Sequence, residues 1–221
     1  MAACKAVFFD IDGTLVDSNA FHVEAWRRAF ADAGHDIGAQ AIGTQIGKGS
    51  DNLVPALIPG ISDEDAEKLG HAHGTIFKGE YLEQVRPFPQ ARELVQRVHD
   101  SGRRVVLASS ASAEELEHYQ KLLGIEELVD VTTTSDDVET TKPAPDIFAV
   151  ARDKAGVDAD AVVVVGDAPY DMEAAAKCGM TRVAVRSGGF DDATLRQAGA
   201  ETIYDAAAAI LAGFDASPLA R

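Results

Sequence analysis

The residues of this sequence best placed to do chemistry are a few carboxylates that end apolar runs, one lysine in a proline-rich loop and a pair of serines. In VFFDIDGTLVD the apolar run ends in Asp10 and Asp12, followed at once by Gly13 and Thr14. Two carboxylates this close repel each other. A hard cation such as magnesium, which takes carboxylate, carbonyl and water oxygens, is the simplest compensation. Ser109 and Ser110 follow RRVVLA, Lys142 lies in ETTKPAPD, and Asp167 and Asp171 lie in VVVVGDAPYD. Carboxylates, a lysine and hydroxyls brought to one place make a site for a metal ion and a phosphoryl group.

Such groups act only if the fold gathers them. KAVFFD, RRVVLAS, LVDVTT, AVVVVGD, TRVAVR and ETIYD read as strands, mostly without polar alternation, which suits a parallel sheet covered on both faces. Helical patterns lie between them over 90–100, 113–123 closed by Gly124, 145–155 closed by Gly156, and 171–178 closed by Gly179. The alternation predicts a doubly wound α/β fold, in which ligands bind beyond the carboxyl ends of the strands. Taken singly, each candidate has a plainer role. Asp17, Ser18 and Ser112 read as helix N-caps, Ser109 and Ser110 can cap too, and Lys142 can be a solvated loop residue before Pro143 and Pro145. Their joint arrival at successive strand ends of one sheet favours the functional reading.

One interval breaks the rhythm. From 18 to 85 no strand is evident, which predicts a helical insertion there and a core made of 1–17 and 86–221. Phe21, Ala25, Trp26, Ala29, Phe30 and Ala33 have helical spacing, Gly34 ends that helix, and Ser62 with Asp65 opens another. Pro87 and Pro89 mark the return, and the alanines at 206–209 predict a terminal helix. The 221 residues, 46% hydrophobic, suffice for a sizeable core. A net charge of −16 with no basic patch argues against nucleic acid and anionic membrane surfaces. Cys4 and Cys178 give no disulfide framework, no secretory signal pattern opens the chain, and no apolar run is long enough to span a bilayer, so a cytoplasmic location is expected.

FFDIDGTLVDS, VVLASS, TKPAPDIF and VVVVGDAPYDMEAAAKCG, in this order, resemble the four motifs of the haloacid-dehalogenase-like (HAD) superfamily. The helical insertion resembles its cap, and the DxDGT pattern resembles the phosphatases and phosphotransferases rather than the dehalogenases. The resemblance implies an aspartyl-phosphate formed on Asp10, with magnesium held by Asp10, the backbone carbonyl of Asp12 and Asp167. It also implies that Lys142, Ser109 and Ser110 hold phosphate oxygens, while Asp12 protonates the leaving oxygen and later takes a proton from water. Gly13 would leave room for the phosphate and Thr14 would tie the turn by a hydrogen bond. Asp171 either orients Lys142 or a metal-bound water, or caps its own helix.

GTQIGKGS at 43–50 looks like a phosphate-binding P-loop, but its glycines are one residue too close, Gly49 replaces the Ser/Thr, and no strand precedes it. In the family such an element resembles a cap loop facing the site, where Lys48 either contacts substrate or is solvated. His22 matches a histidine of the related sugar-phosphate mutases, or is structural. The expected function is a magnesium-dependent phosphatase of a small phosphorylated metabolite, acting as monomer or homodimer. A β-phosphoglucomutase-like phosphotransferase is the alternative. Against it, Ser50 or a neighbour stands where that group carries an arginine, and the glycines beside Lys48 are expected to leave a mobile loop that admits water. A non-catalytic phospho-ligand scaffold is a third reading, disfavoured because a binder needs neither Asp10 nor Asp12.

Overall fold

The computed structural model describes residues 3–221. Its strands are β1 (Ala6–Phe9), β2 (Val16–Asp17), β3 (Arg86–Pro87), β4 (Arg104–Ala108), β5 (Val131–Thr133), β6 (Val162–Gly166), β7 (Thr181–Val185) and β8 (Thr202–Tyr204). Six of them form a parallel sheet in the order β5-β4-β1-β6-β7-β8. The order reverses between β1 and β6, so the chain winds outward twice from the middle of the sheet. That reversal opens a crevice at the carboxyl ends of β1 and β6.

The apolar runs lack polar alternation because both faces are covered. Val7, Phe9, Val105, Leu107, Val163 and Val165 face Leu94, Val95 and Val98 of α5 (Ala91–Asp100) and Leu116 and Tyr119 of α6 (Ala113–Leu123). Their neighbours Ala6, Phe8, Val106, Ala108, Val162 and Val164 face Ile147, Phe148 and Ala151 of α7 (Asp146–Ala155) and Ala174 and Ala175 of α8 (Pro169–Lys177). The period of two along each strand sorts these side chains between the layers. Helix α10 (Ala207–Ala212) joins the first layer, as the alanine run predicts.

Local departures have local causes. Strand β5 is shorter than the apolar run, because Glu126–Leu128 turns as a 3-10 helix and the Asp130 carboxylate accepts the Val105 amide at 2.8 Å. Gln90 is not the first residue of α5 but its N-cap in the left-handed region, φ 61°. A short helix, α9 (Asp192–Gln197), adds Leu195 to a small cluster with Met172 and Ala184.

The chain leaves the sheet layer through β2 and returns through β3, which pair antiparallel with Val16 opposite Pro87 and Asp17 opposite Arg86. Between them stand α1 (Asn19–Asp32), α2 (Ala39–Gly43), α3 (Ser50–Leu57) and α4 (Asp63–Ile76), extended by a π-turn at Phe77–Tyr81. Trp26, Phe30, Ile42, Leu53, Val54 and Leu69 give this segment its own core. The Ser62 hydroxyl accepts the Asp65 amide at 3.1 Å and starts α4, as the sequence pattern predicts. Among the described residues no helix is long and apolar enough to cross a membrane.

Candidate active site

Asp10 follows β1 directly and its amide donates to the Val165 carbonyl, which ties it to β6. Lys142 reaches it from the loop after β5. The lysine Nζ lies 2.6 Å from Asp10 Oδ1, 2.8 Å from Asp171 Oδ1 and 3.0 Å from the Ala108 carbonyl, with 1% of the residue exposed. The other Asp171 oxygen, Oδ2, accepts the Ala168 amide at 3.0 Å. Asp171 thus contacts the Lys142 ammonium with one oxygen and accepts the amide at the start of α8 with the other. Asp167 follows β6 and accepts from Thr14 Oγ1 at 3.3 Å and Asn19 Nδ2 at 3.0 Å.

Among the described residues, Asp10, Asp167 and Asp171 bring one oxygen each within 4.8 Å of one another. One ammonium for three buried carboxylates leaves positive charge in deficit. Burial, with Asp171 beside it, pushes Asp10 up to about 7 although Lys142 opposes the shift. Burial together with Asp10 and Asp171 holds Asp167 well above the usual carboxylate range. Burial alone would lower Lys142, but Asp10 and Asp171 outweigh it and keep the ammonium charged. Among the described residues Asn19 Oδ1, buried near Asp167, has no hydrogen-bond partner, and neither does Ser110 Oγ. Three convergent carboxylates and a spare amide oxygen fit a hydrated divalent cation; a spare hydroxyl fits a phosphate oxygen.

Gly13 has φ +73°, and a Cβ there would fall 2.1 Å from Asp167 Oδ2. Its first service is thus to admit the Asp167 carboxylate. The Thr14 amide donates to the Ile11 carbonyl at 3.1 Å within the turn, while its hydroxyl reaches out of the turn to Asp167; Gly13 N to the Val16 carbonyl at 2.9 Å closes the turn further.

Asp12, two residues on, meets the opposite environment. Its Oδ1 accepts from Ser18 Oγ at 2.5 Å and faces His22 Nε2 at 3.2 Å. Burial would raise it, yet the His22 pairing outweighs burial and holds Asp12 below its ordinary value. Ser18 therefore stands at the N-cap position of α1 without a side-chain cap bond, and Asp17 sits in β2 rather than in a cap. Ser112 does cap α6, reciprocally with Glu115. Ser109 Oγ accepts the Ala111 amide at 3.1 Å, so neither Ser109 nor Ser110 caps a helix.

These groups open into a cavity of about 260 Å³, walled on the helical side by His22, Trp26, Lys48, His73 and Lys78. Lys48 Nζ donates to Gln45 Oε1 at 2.6 Å and lies 4.5 Å from the centre of the Tyr170 ring. The glycines beside it serve close approach rather than looseness. A Cβ on Gly47 would stand 2.6 Å from Ala168 Cβ, and one on Gly49 would stand 2.5 Å from the Thr141 side chain. The Asp51 carboxylate accepts the Thr141 amide at 2.9 Å and bonds its hydroxyl, while Asn52 Nδ2 donates to the Thr141 carbonyl at 3.1 Å. The residue before Lys142 is thereby fastened to α3.

Residues 4–179 match the model of the haloacid dehalogenase-like hydrolases. The chain belongs to that family. It is 30% identical over 182 residues to fructose-1-phosphate phosphatase YqaB of Escherichia coli, a match covering 81% of this chain and 95% of that one. It is 30% identical over 216 residues to the plasmid phosphoglycolate phosphatase of Cupriavidus necator, covering 94% and 91%. The crystal structure of a hydrolase from Pseudomonas syringae superposes with a TM-score of 0.90 at 31% identity, covering 96% of this chain and 98% of that one.

In this hydrolase Asp10, Lys142, Asp167 and Asp171 meet in one group, with Thr14 attached through Asp167 and Asp12 paired to His22. Lys48 lines the same cavity from the other wall. Asn19, His73, Asp51 and Thr141 are the residues sequence reasoning missed. The partners that place them in the site lie from 51 positions away, for His73, to 169, for Asn19, so no local spacing signals them.

Proposed function

We propose that this hydrolase is a magnesium-dependent phosphatase that releases phosphate from a small phosphorylated metabolite of the sugar-phosphate or phosphoglycolate type. The observation that carries the reading is the Asp10, Lys142, Asp167 and Asp171 cluster at the strand-order reversal, opening into a cavity beneath the inserted helices. The names of the phosphatase relatives support the substrate class.

In this reading Asp10 attacks phosphorus and becomes an aspartyl-phosphate, while Asp12, ionised at rest beside His22, takes up a proton from solvent as substrate binds and passes it to the departing oxygen. Asp12 then takes a proton from the water that attacks the phosphorus and regenerates Asp10. Lys142 and the Ser109 and Ser110 hydroxyls hold the charged oxygens through both halves. Asp10, Asp167 and the Asp12 carbonyl would hold magnesium, with Asp171 beside them. When bound, the ion neutralises charge as a dianion nears a carboxylate. Residues 18–85 act as the cap that excludes bulk water, and Lys48 and His22 face the substrate from it. No arginine lines the cavity among the described residues, so a distal phosphate lacks the bidentate anchor that a mutase needs. Free Cys4 and Cys178 suit a reducing cytoplasm.

The test is a panel of phosphorylated metabolites assayed for phosphate release, with magnesium and again with chelator. Release that needs magnesium is expected. Absence of release from every compound, or release indifferent to chelation, overturns the reading. With β-glucose 1-phosphate and catalytic glucose 1,6-bisphosphate, inorganic phosphate is expected to outrun glucose 6-phosphate; the reverse establishes a mutase.

A further inference from the structure

Asp12, His22 and His73 form a line of hydrogen-bonding groups from the sheet edge into the inserted helices. His22 Nε2 lies 3.2 Å from Asp12 Oδ1, and His22 Nδ1 lies 3.2 Å from His73 Nε2. The two rings come from α1 and α4, 51 positions apart. An ionised carboxylate only accepts, so the His22 nitrogen facing it carries a proton. The other His22 nitrogen then either donates to His73 or accepts from it, and in both cases His73 is its partner.

Aromatic faces set the plane of each ring. His22 stacks on Phe77 with centroids 3.8 Å apart and planes within 11°, and His73 stacks on Trp26 at 4.2 Å and 10°. Phe77 and Trp26 are both buried. Turning either imidazole out of the line sacrifices its stack, so the orientation is set by packing and by the hydrogen bond together.

We propose that His73 is a positioning residue that holds the His22 ring with its Nε2 proton directed at Asp12. This rests on the reading of Asp12 as the proton donor and acceptor in phosphate-ester hydrolysis. Without His73 the half-buried Nδ1 of His22 loses its partner, and the ring is free to turn its proton away from the carboxylate. Asp12 would then be poorly held when the leaving oxygen needs a proton.

Two substitutions separate the hydrogen bond from the stack. His73→Phe keeps an aromatic face on Trp26 and removes the nitrogen, whereas His73→Gln restores a hydrogen-bonding end. Both are compared with wild type on an alkyl phosphate, whose leaving group needs a proton, and on p-nitrophenyl phosphate, whose leaving group needs none. For His73→Phe, kcat/KM on the alkyl ester is expected to fall ~10- to 100-fold, that on the nitrophenyl ester less than about threefold, with His73→Gln recovering most of the loss. Equal losses on both esters, or no loss, overturn the proposal.

A second measurement needs neither a variant nor turnover. In 15N-labelled wild-type protein, a coupling between His22 Nδ1 and His73 Nε2 across the hydrogen bond is expected, and its absence overturns the proposal. Lack of phosphate release by wild type would instead defeat the phosphatase reading, leaving the coupling to decide the position of His22.

Discussion

Asp10 and Lys142, on the sheet side of the cavity, are held by strand ends and by three buried ion-pair and hydrogen-bond contacts to one ammonium. His22 and His73, on the helical side, are held by stacked rings and by the hydrogen bonds that link them to each other and to Asp12. The first kind of construction concentrates unbalanced charge on rigid backbone. The second supplies partners for that charge through side-chain packing, which can change without disturbing the sheet. Reaction chemistry common to a family suits the rigid side, and choice of substrate suits the packed side.

The sharpest break between the two sides should come from Asp10→Asn, which keeps shape and removes the attacking oxygen. Turnover is expected to fall by ~10,000-fold or more, against a tenth to a hundredth remaining for His73→Phe on alkyl esters. Comparable losses from the two would erase the distinction. In stability the same contrast appears with lysines. Lys142→Met strands buried carboxylates and should cost about 3–5 kcal/mol in urea unfolding with chelator present. Lys48→Met, half-buried beside Tyr170, should cost about 1 kcal/mol or less. Equal costs would mean that Lys142 carries no special burden.

The two aspartates also set opposite responses to pH. Asp10 is pushed up from 3.8 to about 7, so the folded state binds more protons than the unfolded chain between those values. The Asp10 contribution to stability of the chelated protein, read as the difference between wild type and Asp10→Asn, should therefore fall as pH rises from 3.8 to about 7 and level off above it. Asp12 is held below 3.8 through its pairing with His22, so its contribution is present above that value and is lost as pH falls below it. Thermal unfolding across this range reads both limbs, and magnesium should remove most of the Asp10 decline. A difference between wild type and Asp10→Asn that rises toward pH 7 under chelation would contradict the charge deficit at the sheet edge. The smallest effect is expected from Gly47→Ala, whose Cβ would press on Ala168. It should raise KM about two- to fivefold and cost about 1 kcal/mol, by lifting Lys48 from its seat. An unchanged KM would remove Lys48 from substrate contact.

The two sides also differ in how much the sequence reveals. Strands and their terminal groups could be read because a buried parallel sheet demands unbroken apolar runs, and its ligands gather at the residues that end them. Asp10, Lys142 and Asp167 occupy such ends or the loop beside one. Ser18 shows a limit of local pattern: it takes the N-cap position that a serine before a helix predicts, yet its hydroxyl is drawn to the Asp12 carboxylate at 2.5 Å instead of the helix amides. The bond from the Thr14 hydroxyl to Asp167 has no local signal because its acceptor lies 153 residues away. His73 was invisible, since its meaning depends on α4 packing against α1, and helical periodicity predicts a buried face without naming the residue opposite. Gly47 and Gly49 suggest flexibility in the sequence, yet glycine also marks where a backbone must pass close to another segment's side chains, here Ala168 and Thr141.

The central claim is that phosphate leaves its ester by way of Asp10. Turnover with magnesium and an active substrate, stopped by acid within the first seconds and followed by peptide mass mapping, tests it directly. The account predicts a phosphoryl group on Asp10 that is absent without substrate and absent in Asp10→Asn. Sustained phosphate release with no phosphoryl group on Asp10 would contradict it.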